Sequence, residues 1–260
     1  LIAGSDSHGT AYGILELSRL IGVSPWEWWA DATPEKRESF ELPVGYKNVQ
    51  SPSVEYRGIF INDEDWGLTP WSSWTYEPWL HYGPGRIGPK TNERIFELLL
   101  RLRANTCWPA MHECTKPFFL TKGNREVAKK FGIYIGGSHC EPMASSTAGE
   151  WSQRGKGEYD YVRNSASVYK FWEHRVKEVA GQEILYTVGM RGVHDGAMNG
   201  AKTLDEQKAV LEHTFADQRC LLQQYVNEDV TKVPQVFIPY KEVLDVYHAG
   251  LEVPDDVTLM

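Results

Sequence analysis

Along its length the chain alternates short apolar, β-prone runs with longer stretches whose apolar positions recur every three or four residues. The clearest of the short runs is 57–61, Arg57-Gly58-Ile59-Phe60-Ile61, which passes directly into the acidic cluster Asn62-Asp63-Glu64-Asp65. A long aromatic loop, 68–89, separates it from a helix predicted over 92–104, where Ile95, Leu98, Leu99 and Leu102 share one face. The design then repeats. A strand over 106–111 ends at His112-Glu113, and a helix over 124–131 stops at Gly132. A strand over 133–136 ends at Ser138-His139-Cys140-Glu141, followed by a helix over 166–180 with Val168, Phe171, Trp172, Val176 and Val179 in phase. The strand 183–188 runs into Arg191-Gly192-Val193-His194-Asp195, and the helix 205–226 carries Leu211, Phe215 and Leu222. The strand 235–239 ends at Tyr240-Lys241-Glu242, with a short helix at 243–248 and a sixth strand at 257–260.

Strands alternating with amphipathic helices predict an α/β fold with a parallel sheet and right-handed crossovers. Five successive strands that end in polar clusters favour a (β/α)8 TIM-type barrel over a doubly wound sheet, where function gathers only at the switch point. About six strand–helix units are present, so the expectation is an incomplete barrel over 51–260. Ahead of it, residues 1–3 read as the tail of a strand, 4–10 as a glycine-bearing turn and 11–21 as a helix capped by Gly22. That turn lacks the P-loop lysine and the full dinucleotide fingerprint, so it reads as structural. The polar stretch 31–50 is the predicted domain boundary.

Charge narrows the partners. The net charge is −8 with no Lys/Arg run, which argues against nucleic acid because phosphate neutralisation needs a basic patch. Ten Trp and thirteen Tyr, many beside turns, suit stacking on sugar rings as well as core packing. The four cysteines, Cys107, Cys114, Cys140 and Cys220, form no CxxC pair and read as reduced or buried thiols. No apolar run reaches membrane-spanning length and no signal peptide is visible, so no membrane partner is expected.

The strand ends carry the candidate chemistry. Asp63, Asp195 and Glu242 each close a different strand, and the fold can converge them although they lie far apart in the chain. Glycosidic cleavage needs one carboxyl to protonate the leaving oxygen and another to activate water or attack carbon. His139 and Arg191 at neighbouring strand ends can bind an acidic sugar, since a guanidinium forks onto a carboxylate. A metal-dependent hydrolase is the competing reading: His112, Glu113, Cys114, His139, Cys140, Glu141, His194 and Asp195 are all ligand types, but none has HExxH or CxxC spacing. A carbohydrate-binding protein that uses its Trp-rich loops without chemistry is a third.

The runs GVSPWEWWAD, YRGIFINDEDWGLTPW, LLLRLRANTCWPAMHE, GGSHCEPM, TVGMRGVHDGAM and PYKEVLDVYHAGLEVPDDVTL, in that order, resemble glycoside hydrolase family 115, the xylan α-1,2-glucuronidases. The resemblance implies that residues 1–50 are the C-terminal part of an N-terminal α/β domain and that 51–260 are a catalytic barrel cut after about its sixth strand. It implies that Asn62 and Asp63 line the substrate pocket and that His139 and Arg191 contact the uronic acid. Asp195 and Glu242 would be the carboxylates of an inverting reaction on glucuronoxylan or its oligosaccharides, with no metal and no cofactor. It also implies a secreted or periplasmic enzyme, with a homodimer possible for the full-length protein. The family continues beyond the DDVTL run, so the site is expected to be incomplete here, and the fragment alone to be insoluble or molten, and inactive. Within the pair, Glu242 is expected to be the general acid and Asp195 the general base, with Lys241 directed away from the cleft because adjacent strand residues alternate faces.

Overall fold

The computed structural model describes residues 1–80 and 85–260. The part of the aromatic loop at 81–84 lies outside them. The described residues form an α/β structure of six short parallel strands and eight α-helices. The strands are β1 (Gly58–Phe60), β2 (Thr106–Trp108), β3 (Tyr134–Ile135), β4 (Tyr186–Val188), β5 (Gln235–Phe237) and β6 (Thr258–Leu259). They pair as two parallel three-stranded sheets, β1-β2-β3 and β4-β5-β6, in register Gly58↔Thr106, Thr106↔Tyr134, Tyr186↔Gln235 and Val236↔Thr258. Parallel bridges at Ile135↔Ile184 and Pro142↔Thr187 join the sheets, so the strands follow one another in chain order. Gly58 is required where β1 meets β2, because a Cβ there would stand 1.8 Å from the carbonyl oxygen of Thr106.

The expected fold is an incomplete (β/α)8 barrel, and among the described residues the strands form an open array that does not close. Strand β1 pairs only with β2 and β6 only with β5, which leaves two edges, whereas a barrel needs every strand paired on both sides. The strands in the middle of the array are covered on both faces and the outer ones are not. Every residue of β4 and β5 is buried, while Ile59 and Phe60 of β1 are 46% and 41% exposed.

The helices follow the sequence periodicity with shifted ends. They are α1 (Ser7–Ile21), α2 (Leu68–Pro70), α3 (Pro89–Arg101), α4 (Asn124–Phe131), α5 (Trp151–Arg154), α6 (Ser165–Val179), α7 (Leu204–Tyr225) and α8 (Glu242–His248). Helix α1 begins earlier than residue 11 because Asp6 caps it, its carboxylate accepting from the Gly9 N–H at 2.6 Å, so the glycine-bearing turn is helical. No strand forms at residues 1–3. Helix α3 starts at Pro89, whose missing N–H costs nothing in the first turn. Helix α7 starts from a capping box in which Thr203 and Glu206 satisfy each other's backbone N–H groups. Its Leu211, Leu221 and Leu222 are fully buried, each contributing about 1.5–3 kcal/mol. Three short elements lie in the loop expected to be irregular: α2, a π-helical turn at Trp71–Tyr76 and a 3-10 turn at Pro78–Leu80. Buried Glu77 ties this loop to the start of α3, accepting from Lys90 N, Thr91 N and Thr91 Oγ1 at 3.1, 2.9 and 2.7 Å.

Helix α1 packs on the α3–α4 region. Tyr12 donates to the Ala104 carbonyl at 3.1 Å, His8 meets the Gly132 carbonyl at 2.6 Å, and Glu16 pairs with Arg103 at 2.5 Å. The following residues, 33–50, run almost wholly exposed.

Candidate active site

Parallel strands direct their C-terminal ends to one side, and the loops there assemble the site. The chain leaves β4 through Gly189 and Met190 and delivers Arg191 into the interior, 2% exposed. A buried guanidinium must be paired, and this one is paired twice. Arg191 Nε and Nη2 fork onto Oε1 and Oε2 of Glu242 at 3.0 and 2.7 Å. The same Nη2 donates to the Asp195 carbonyl at 3.1 Å, and Nη1 lies 3.5 Å from Asp195 Oδ1. One planar cation from the β4 loop therefore fixes both candidate carboxylates, one on its own loop and one at the start of α8.

His139, from the loop after β3, completes the group. Its Nε2 lies 2.8 Å from Asp195 Oδ1, and its ring stacks on Tyr240 with centroids 4.3 Å apart at 21°. Arg191 sits over the same Tyr240 ring at 5.2 Å. Burial lowers the pKa of His139 and outweighs the opposing pull of Asp195, with Arg191 adding to the lowering, so the ring is neutral near pH 7 and donates its Nε2–H. The His139 hydrogen bond is the main reason the Asp195 carboxyl is held below its ordinary range, with Lys241 contributing.

Lys241 is the correction to the sequence reading. Its Nζ stands 3.4 Å from Asp195 Oδ2 instead of pointing away. Strand alternation does not apply, because β5 ends at Phe237 and Lys241 caps α8 with φ 52° and ψ −124°. That left-handed conformation costs a side-chain-bearing residue about 1–3 kcal/mol, and it turns the lysine toward the cleft. His194, beside Asp195, also has a positive φ, 52°, with its N–H donating to Thr147 Oγ1 at 3.0 Å.

The other expected pocket residues sit on the β1 loop. Asn62 is exposed at the end of β1, and the Asp63 carboxylate is occupied by the backbone N–H groups of Thr69 at 2.7 Å and Leu68 at 3.3 Å. Asp63 thus shapes the loop at the start of α2. Among the described residues no hydrogen bond or ion pair joins it to the Arg191 cluster; the link runs through neighbours. Glu64 pairs with His112 Nε2 at 3.0 Å, and the His112 ring packs edge-on against His194 at 4.9 Å. Tyr240 was not singled out from the sequence. The signal available for it was only its place between a strand end and Lys241-Glu242.

Among the described residues, His139, Cys140 and Asp195 could offer ligand atoms within 4.8 Å of one another. The surroundings do not suit a cation. Arg191 and Lys241 already hold the Asp195 carboxylate, and their positive charge opposes a cation beside it. The cluster instead suits an acidic ligand, with two carboxylates gathered on one guanidinium.

The sequence model of glycosyl hydrolase family 115 matches residues 49–260. Comparison with curated proteins gives no match. Among solved structures, the chain is similar to a family GH115 4-O-methyl-α-glucuronidase described as having specificity for decorated arabinogalactans. The identity is 77% and the TM-score 0.96, over 99% of this chain and 34% of that one. The chain therefore spans about a third of the length of that structure.

Proposed function

We propose, since this chain belongs to glycosyl hydrolase family 115, that it supplies the Asp195–Glu242 centre of an α-glucuronidase that removes (4-O-methyl)glucuronic acid from a branched plant polysaccharide. The observation that carries this reading is the buried guanidinium of Arg191, which holds Glu242 and Asp195 together beside His139. Arg191, His139 and Lys241 give the pocket a cationic and hydrogen-bonding lining suited to the carboxylate of a uronic acid. Asn62 and Asp63, on the β1 loop, are assigned to substrate binding as well, reached through Glu64, His112 and His194.

Asp195 is the base. It is kept ionised by His139 and Lys241, as water activation requires. Glu242 is the acid for the leaving oxygen. Both of its oxygens are taken by Arg191, so proton donation requires that fork to open when the uronate competes for the guanidinium. The reaction proceeds with inversion at an α-1,2 linkage, which calls for about 6.5–9.5 Å between the carboxyls. The strands form part of a (β/α)8 wall over 51–260, residues 1–50 end a separate N-terminal α/β domain, and the enzyme acts outside the cytoplasm.

For the substrate we place decorated arabinogalactan ahead of glucuronoxylan, because the similar solved enzyme is described by that specificity at 77% identity. The test is to incubate the full-length enzyme with each polysaccharide and quantify free uronic acid. Release from arabinogalactan without backbone shortening supports the reading. Release from glucuronoxylan alone restores the xylan assignment, and oligosaccharides without uronic acid overturn the function.

A further inference from the structure

Behind His139 lies a carboxyl that the proposed chemistry does not use. Glu141 Oε2 accepts two hydrogen bonds, from the backbone N–H of Ser138 and from its hydroxyl, both at 2.8 Å. Ser138 Oγ in turn accepts from the N–H of Cys140 at 3.1 Å, and the Glu141 N–H donates to the Ser138 carbonyl at 3.1 Å. The four residues close into a compact turn with His139 at its crest. The glutamate stem is packed into place: a Cβ on Gly137 would stand 2.5 Å from Glu141 Cβ, so only glycine admits this approach.

The other oxygen differs. Glu141 Oε1 is buried with no hydrogen-bond partner, although the residue's stem is partly exposed. Glu141 lines a cavity of about 30 Å³ walled by Pro109, Met111, Phe118 and Phe119, with Glu150 and Ser146 at its polar end. A carboxylate oxygen left there without a donor pays the full desolvation cost of a charge, whereas a neutral hydroxyl pays far less. The division of contacts fits the neutral acid: two donors reach Oε2, the carbonyl-like oxygen, and none reaches Oε1.

We propose that Glu141 is a positioning residue for His139, working as a protonated carboxylic acid whose Oε2 clamps the Ser138–Cys140 turn and whose Oε1 carries the proton. Through that turn it sets the His139 ring against Tyr240 and Asp195. This rests on the proposed role of His139 and Asp195. The groups around it are consistent with the neutral form. Burial pushes the Glu141 carboxyl up to about 7, and Glu150 across the cavity adds to the rise. Glu150 is itself held by Arg175 and Arg154, Cys140 stays a thiol, and the walls from the β2 loop and from residues 117–119 bring no charge. Raising the pH through that value would set a second carboxylate opposite Glu150 and loosen the turn.

The test compares wild type, Glu141→Gln and Glu141→Ala in the full-length enzyme, with uronic acid release measured from pH 5 to 9. Glutamine reproduces the neutral acid, keeping a carbonyl oxygen for Ser138. It should match wild type at pH 6 and exceed it at pH 8, where a group titrating near 7 is only about one-tenth protonated, so by about tenfold. Alanine should lower kcat at least tenfold at every pH with KM little changed. A wild type that releases no uronic acid fails the functional reading and leaves no rate to compare. A functional wild type whose Glu141→Gln variant shows the same alkaline limb, or is impaired at every pH, overturns the inference about Glu141. Should the alanine variant not fold, the glutamine profile still decides.

Discussion

Replacing Arg191 by lysine keeps the charge and removes the fork. An ammonium can reach one oxygen of Glu242, so one of the two bonds at 3.0 and 2.7 Å is lost, as is the donation to the Asp195 carbonyl at 3.1 Å. Each hydrogen bond to a charged group contributes about 1.5–3 kcal/mol. The fork to Glu242 opens when the uronate binds, whereas the carbonyl bond holds the Asp195 loop throughout. Counting only the lost carbonyl bond, the transition state loses about 1.5–3 kcal/mol, or about 10- to 150-fold in kcat/KM at about 1.4 kcal/mol per tenfold. The assay is initial-rate release of uronic acid by the full-length Arg191→Lys variant, with a thermal melt recorded alongside to show that the variant is folded. Activity within threefold of wild type in a folded variant would refute the claim that one guanidinium organises the two carboxylates.

Lys241→Met should shift the acid limb of the pH–rate profile upward, because removing the ammonium raises the Asp195 pKa and the base is protonated at higher pH; His139→Ala should shift it further, as the leading cause of the depression. Glu242→Gln should abolish cleavage of the polysaccharide yet spare a substrate whose leaving group needs no protonation, while Asp195→Asn loses both; the reverse pattern would exchange the two roles. Glu16, held down at about 2 by Arg19 within α1 first and then by Arg103, should lose its pair with Arg103 as pH falls from about 4.5 toward 2 and so loosen α1; protection factors for the α1 amides, corrected for intrinsic exchange, that are unchanged between about pH 6 and about pH 2 would contradict this.

The alternation of strands and helices was legible because burial imposes it. Helices α3, α6 and α7 bury most of the residues the periodicity picked out, among them Ile95, Leu99, Val168, Trp172, Leu211 and Phe215, whereas Leu102, expected on the same face as Ile95, lies past the end of α3 and is 47% exposed. The strand ends that carry Arg191, His139, Asp195 and Glu242 were legible for the same reason, since a parallel strand must finish at the loop face. Their partnerships were not. That Glu242 and Asp195 share one guanidinium, or that Tyr240 lies under both His139 and Arg191, is set by tertiary approach with no local signature. Lys241 was misplaced because strand alternation was extended past Phe237 into a residue with positive φ. That two backbone N–H groups at the start of α2 donate to Asp63 was not legible either, because so short a helix is not announced by periodicity.

The central claim is that Asp195 and Glu242 cleave an α-linked uronic acid by a single displacement. Time-resolved proton NMR of the full-length enzyme acting on decorated arabinogalactan tests it most directly. Inversion predicts that the β-anomer of the free uronic acid appears first and mutarotates afterwards, and that Asp195→Asn gives no signal. The α-anomer appearing first, or unchanged release by Asp195→Asn, would contradict it.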